Sequence, residues 1–301
     1  MKKLDDHTKA LIAVLLAVVA GGGNAVFTKI ALREIPPFSS IFLRWFIAFL
    51  FVLPLFLREK PKIDKDFGYA FAVSTFATIN IVMFAFGVRL TSASVSQMIY
   101  AGVPMIIAIL SYFMLKEKVT RQKVIGLIVG LAGVAIIIFS PLLHGGLDLR
   151  ASVIGNFLIF ISTISFSLYT IFSKKLQKKH SPVYVLATYI INSMIVGLVF
   201  GLFDFVTSPG WYLHISMITV WSILYTGIFG AFLFYLLYQY AIKHGTPVIA
   251  SMSLYLLPIA AFIWASILLG EKLTPGFILG SILAFAGAYL VTKKPAPTAY
   301  S

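Results

Sequence analysis

LKEKVTRQKVIGLIVGLA, residues Leu115 to Ala132, recurs as LGEKLTPGFILGSILAFA, residues Leu269 to Ala286, at an offset of 154 positions, about half of the 301-residue chain. At that offset Met98 meets Met252, Pro104 meets Pro258, Glu117 meets Glu271, Thr120 meets Thr274 and Gly133 meets Gly287. A proline within an apolar run, then Glu-Lys, then a glycine-punctuated apolar run, in the same order twice, marks a duplication. Both copies are hydrophobic over membrane-spanning lengths, so the duplication predicts a membrane protein made of two related halves, 1–143 and 144–301.

Outward from the repeat, the whole chain follows the same logic. Hydrophobic residues make up 60% of it and charged residues only 11%, and the mean hydropathy is +0.97. A helix needs roughly 20 apolar residues to cross a hydrocarbon core about 30 Å thick. Ten runs of that kind lie near 10–31, 39–57, 67–88, 93–115, 123–142, 152–173, 184–205, 216–241, 247–269 and 276–292. They are too long and too uniformly apolar for the alternating strands of an outer-membrane barrel. The expected fold class is an all-α integral membrane protein with ten transmembrane helices. The segment 140–150, with Pro141 and Gly145-Gly146, is the natural linker between the halves.

The formal charge of +14 does not point to nucleic acid, because of where the charges sit. Eighteen of the 24 basic residues fall in the termini and alternate loops, while only Arg33, Arg89, Arg150 and Lys272 fall in the other loops. That asymmetry places both termini in the cytoplasm and makes the surrounding partner membrane lipid. It also inverts the repeat, since five helices separate equivalent points: the Glu117 turn is expected inside and the Glu271 turn outside. With Lys2, Lys3 and Val18-Val19-Ala20 the start imitates a cleaved signal, but the apolar run continues to Leu32 and the first helix is expected to be retained. The localisation expected is the cytoplasmic (inner) membrane of a prokaryote.

Several stretches together resemble the EamA-type transporters of the drug/metabolite transporter superfamily. They are Gly22 to Lys29, Phe42-Leu43-Arg44-Trp45-Phe46, and Ala85 to Ser94 with Pro104 and Leu115 to Thr120, the last repeated over Ala241 to Thr274. The Trp usual near the start of the first of these segments is absent here. The resemblance implies inverted five-helix repeats, a central cavity, and permease or exporter activity toward small metabolites or drugs.

The residues themselves suggest where a cargo would sit, because polar groups in a lipid-embedded bundle should face its interior. Gln97, Ala101 and Pro104 in the fourth run, with Tyr100 beside them, match Ser251, Tyr255 and Pro258 in the ninth; a mid-helix proline frees a carbonyl, as a binding feature or a hinge. Asn24, Asn80 and Tyr169 are further candidates, and Trp264 with Tyr255 offers an aromatic wall. Tyr235, Tyr238 and Gln239 read as an interfacial belt. Lys29 and Arg44, near the outer mouth, either snorkel and pair with Glu34 or anchor the interior, where Arg44 would meet an anionic group of the cargo. Gly126 and Gly130, with Gly280 and Gly287 opposite, give flat faces for a helix seam, which keeps the protein a monomer, with a dimer contact as the alternative use.

No Asp or Glu lies deep in any run, the histidines are peripheral and cysteine is absent. Catalysis, a metal centre and a cofactor are therefore not expected. Facilitated diffusion or exchange by alternating access is the expected mechanism, with a lipid or hydrophobic-drug flippase of the same fold as the alternative. In this cysteine-free chain, cysteines introduced at Ser181 and Gly146 are expected to be labelled from opposite faces of sealed cells, Ser181 from the cytoplasm. Labelling of both from one face rejects the inversion.

Overall fold

The computed structural model describes residues 5–61, 64–115, 121–139, 149–272 and 274–292. The repeated Glu117-Lys118 turn and the linker between the halves lie outside these residues. The regular elements are all helical. The first half holds α1 (Asp6–Gly21), α2 (Asn24–Ala31), α3 (Pro37–Arg58), α4 (Lys65–Leu90), α5 (Ala93–Tyr100), α6 (Val103–Leu115) and α7 (Arg121–Phe139). The second holds α8 (Leu149–Leu176), α9 (Pro182–Thr207), α10 (Met217–Tyr225), a π-helical segment Thr226–Leu233, α11 (Phe234–His244), α12 (Pro247–Ser251), α13 (Ser253–Leu269) and α14 (Pro275–Thr292).

Helix starts follow local chemistry. Asp5, Asp64, Ser92, Ser181 and Thr246 each accept a bond from a first-turn backbone N–H of α1, α4, α5, α9 and α12, and Pro37, Pro182 and Pro275 open α3, α9 and α14, where a missing N–H costs nothing. Among the described residues eight helical stretches are long and apolar enough to cross a membrane, and two shorter apolar helices, Val124–Ile137 and Pro275–Gly287, lie within α7 and α14.

The sequence predicts ten apolar runs with a proline feature in the fourth and ninth, and four of the runs are interrupted. The first breaks at Gly22-Gly23, the fourth at Ala101-Gly102, the eighth passes through the π segment, and the ninth breaks at Met252. Pro104 follows its break closely, as a residue without an N–H to donate would. Pro258 instead sits within α13, six residues past the break, so the two prolines are not structurally equivalent.

Packing pairs the halves. The most extensive contacts are α7 with α14, α3 with α9, α4 with α8, and α1 with α11. Exchanging each run with its counterpart in the other half maps the last two pairs onto each other and the first two onto themselves. Along α7 and α14, Gly126 lies by Gly287 whereas Gly133 lies by Gly280 and Ala284, so these helices run antiparallel. Along α3 and α9, Phe42 meets Gly197 and Ser39 meets Gly201, again antiparallel.

Polarity is turned inward. Leu15, Val19, Phe113, Ile128, Val206 and Ile267 are exposed, whereas Arg44, Asn80, Asn156, Gln239 and many Ser and Thr residues are buried. This is the distribution expected when the outer solvent is hydrocarbon. At the α7–α14 seam a Cβ on Gly287 would press on the Gly130 backbone and lie 2.5 Å from Gly126 O, whereas one on Gly68 would meet nothing within 4 Å. Overpacking costs about 1–3 kcal/mol, and replacing helical Gly by Ala where space allows gains about 0.5–1 kcal/mol. Gly287→Ala is therefore expected to lower the melting temperature in detergent, and Gly68→Ala to leave it equal or raised.

Candidate functional site

The interrupted helices meet in one place. The N-terminus of α2 brings Asn24, the end of α5 brings Gln97 and Tyr100, and the start of α11 brings Tyr235 to a cavity of about 30 Å³, room for one or two water molecules. Ile81, Phe84, Phe166, Phe234, Leu254 and Leu257 complete its wall. Both halves contribute to it.

Hydrogen bonds hold one side of this wall. Asn80 Nδ2 donates to Ser162 O at 3.0 Å, to Ser162 Oγ at 2.8 Å and to the Tyr100 hydroxyl, and the Tyr100 and Ser162 hydroxyls also pair with each other. Asn80 thus orients Tyr100 and ties α4 to α8. A second network lies beyond it, where Gln239 Nε2 donates to Tyr169 OH at 2.9 Å and Gln177 Nε2 donates to Gln239 Oε1 at 2.6 Å. Rings join the two: Phe166 lies 6.4 Å from Tyr100, 6.3 Å from Tyr169 and 6.1 Å from Tyr235.

Of the residues singled out in the sequence, Asn24, Gln97 and Tyr100 line the cavity, and Asn80 backs it. Tyr169 belongs to the neighbouring aromatic cluster. Ser251 is buried but donates to Val248 O at 2.8 Å within its own helix. Pro104 and Pro258 are buried and stand outside the cavity wall. Trp264 is 38% exposed, its ring 5.4 Å from that of Phe27, away from the wall. The side chain of Tyr255 lies outside the described set.

Three residues read as an interfacial belt are instead interior: Tyr235, Tyr238 and Gln239 are 6%, 1% and 0% exposed. The spacing of Tyr235 and Gln239 by one helical turn, with Tyr238 between, was the available signal. Phe84, Phe166 and Phe234 carried none, because aromatic residues form 15% of the chain.

Lys29, Glu34 and Arg44 part company. Lys29 Nζ donates to Thr91 O and lies 3.8 Å from Glu271 Oε1. Glu271 in turn accepts from Ala93 N at 2.8 Å and Ser94 N at 3.0 Å, capping α5. Glu34 pairs with neither Lys29 nor Arg44. It accepts from Ser216 N at 2.8 Å and Ser216 Oγ at 2.7 Å, and these bonds hold its carboxyl below the usual range. The link is therefore complete above the ordinary carboxylate pKa and is lost as pH falls through the lowered value. Arg44 is 4% exposed, with Nε and Nη2 lacking any acceptor among the described residues. At the other end, Lys174 Nζ donates to Ile242 O and Gly245 O, each at 2.8 Å.

The cavity thus joins polar and aromatic side chains from both halves. Among the described residues no three His, Asp or Glu residues gather as they would around a metal. Known proteins agree with a transport architecture. A transporter of unassigned cargo from Archaeoglobus fulgidus is 30% identical over 288 residues, covering 95% of this chain and 99% of that protein. A probable amino-acid metabolite efflux pump from Salmonella typhimurium is 26% identical, covering 92% of each chain. A solved crystal structure shares the fold with a TM-score of 0.68 at 14% identity, over 95% of this chain and 96% of that one. A family model, described as the EamA-like transporter family, matches twice, over residues 8–139 and 153–293. The duplication read from Leu115–Ala132 is thus a duplication of a transporter unit, and the chain belongs to the EamA-like transporter family.

Proposed function

We propose that this membrane transporter moves small metabolites by alternating access between two inverted five-helix units, 1–143 and 144–301, with ten membrane crossings in all. The observation that carries the reading is the meeting of interrupted helices from both units at one cavity lined by Asn24, Gln97, Tyr100 and Tyr235. Antiparallel packing of counterpart helices supports the inversion. Rocking of one unit against the other would open the cavity to each side in turn.

The cargo is a small solute such as an amino acid, an amine or a drug; the amino-acid metabolite named for the Salmonella relative is one member of that range. Gln97, Tyr100, Asn24 and Tyr255 would contact it, with Asn80 positioning Tyr100. Both termini face the cytoplasm of a prokaryotic cell, and a single chain suffices for transport. Thermal stabilisation of the purified protein across a library of such solutes, followed by liposome flux of the hits, tests this reading.

Losing a buried hydrogen bond costs about 1–3 kcal/mol, or roughly 5- to 150-fold in affinity. Gln97→Ala is expected to weaken binding of a stabilising solute by that factor while leaving the yield of folded protein unchanged. Equal affinity in the variant would put the cargo elsewhere.

The energy source is the cargo's own gradient. Asp204 is buried, but it lies in the last turn of α9 and accepts from Ser39 N at 2.7 Å and Ser39 Oγ at 2.9 Å, which commits it to capping α3. Uptake into proteoliposomes is expected to follow the substrate gradient with little response to an imposed pH gradient. Uphill accumulation driven by protons alone refutes it.

A further inference from the structure

Arg44 lies seven residues into α3, about 10 Å along the helix from its start at a rise of about 1.5 Å per residue. Its guanidinium is buried, and none of the ion pairs among the described residues includes it. An arginine cannot shed its proton to escape burial, so the charge stays. An ion held in low dielectric without a partner is costly.

The surroundings compensate only in part. The guanidinium carbon lies 5.5 Å from the centre of the Trp45 ring, and the hydroxyls of Tyr100, Tyr189 and Tyr235 and the amide of Asn24 are in its surroundings. Three N–H-bearing nitrogens of Arg44 and Trp45 lack acceptors among the described residues, Arg44 Nε, Arg44 Nη2 and Trp45 Nε1, against one unpaired amide acceptor nearby, Asn24 Oδ1, which is neutral and leaves the charge unmatched. The protein thus presents unmet donors around a fixed positive charge, which is the complement of an anion.

Arg44 also adjoins the cavity. Asn24, on the cavity wall, and Arg44 Nη2 converge on Gly230 of the π segment, where a Cβ would strike Asn24 Oδ1 and lie 3.5 Å from Nη2. Gly227, one turn earlier, would press its Cβ on Ile47 at 2.7 Å and on Arg44 O at 3.1 Å. The π segment therefore approaches α3 at the two positions that have no side chain, and π-bulges recur at functional sites. Beyond Asn24, Gln97 and the two tyrosines, the wall is apolar, formed by Ile81, Phe84, Phe166, Phe234, Leu254 and Leu257.

We infer that the cargo carries one anionic group, a carboxylate, which Arg44 receives, and an apolar or aromatic body, which the ring-lined wall receives. This narrows the proposed transport reading to amphipathic monocarboxylates, apolar amino acids among them, and rests on that reading. Neutral drugs and simple amines would leave the guanidinium unpaired and so bind poorly. The phosphate of an anionic lipid headgroup offers the same charge from a different source.

The test uses the full-length purified protein in nanodiscs of phosphatidylcholine. Thermal stabilisation and binding are measured for L-phenylalanine, L-leucine and phenylacetate, each beside its methyl ester. Hydrogen bonds to charged groups contribute about 1.5–3 kcal/mol, or roughly 10- to 150-fold. The acids are expected to bind more tightly than the esters by that factor in the wild type. Arg44→Gln is expected to erase the difference, and Arg44→Lys to retain part of it, keeping the charge without the fork. Acids and esters binding alike in the wild type overturns the inference while keeping a transporter, and needs no variant to fold. Neither kind binding overturns this inference and the metabolite reading together. Stabilisation by phosphatidylglycerol alone, lost in Arg44→Gln, assigns the anion to lipid and overturns a soluble cargo.

Discussion

In hydrocarbon every polar group must find its partner within the protein, and the rest of this structure follows from that requirement. It explains why the regular elements among the described residues are helices, whose backbone groups satisfy one another. It also explains how so many hydroxyls are tolerated inside. Ser74, Thr78, Ser167 and Thr170 each donate to the carbonyl four residues earlier, and Ser74 and Thr78 also reach Thr188 and Asn192 across the α4–α9 contact. Against that background the unmet nitrogens of Arg44 and Trp45 stand out, because one of them carries a full charge; the Tyr189 hydroxyl and Asn24 Oδ1 nearby also lack partners among the described residues.

Close approach of backbones is the second theme, and it serves two different ends. At the α7–α14 seam, glycines let two helices meet with almost no side chain between them, where dispersion replaces a hydrophobic drive that lipid does not supply. In the π segment, Gly227 and Gly230 bring backbone against α3 beside a buried charge. The first arrangement is rigid packing. The second places a distorted stretch of helix, with altered hydrogen bonding, next to the cavity.

The two ends of the bundle are tied by related devices. Lys29 closes the end of α2 onto Thr91 and Glu271, and Lys174 closes the end of α8 onto Ile242 and Gly245. These lysines end matching Phe-Thr-Lys and Phe-Ser-Lys stretches in the two halves. Each uses a cation at a helix end to meet carbonyls that the following helix pair leaves free. Between the two ties lies the central cavity of about 30 Å³.

Much of this was legible in the chain itself. Duplication, membrane-spanning length, helical class and the segregation of charge are properties of runs and repeats, and hydrocarbon enforces them on any sequence of that composition. Asn24, Gln97 and Tyr100 could be named because a polar side chain in an apolar run has few places to go. Tertiary structure alone decided where the helices break, that Glu34 serves Ser216 and leaves Arg44 without a carboxylate, and that Tyr235 and Gln239 turn inward while Trp264 turns out. Those outcomes depend on which helix faces which. Facing is set by contacts between residues more than 150 positions apart, such as Gly130 with Gly287 or Gly23 with Tyr225, which no local pattern encodes.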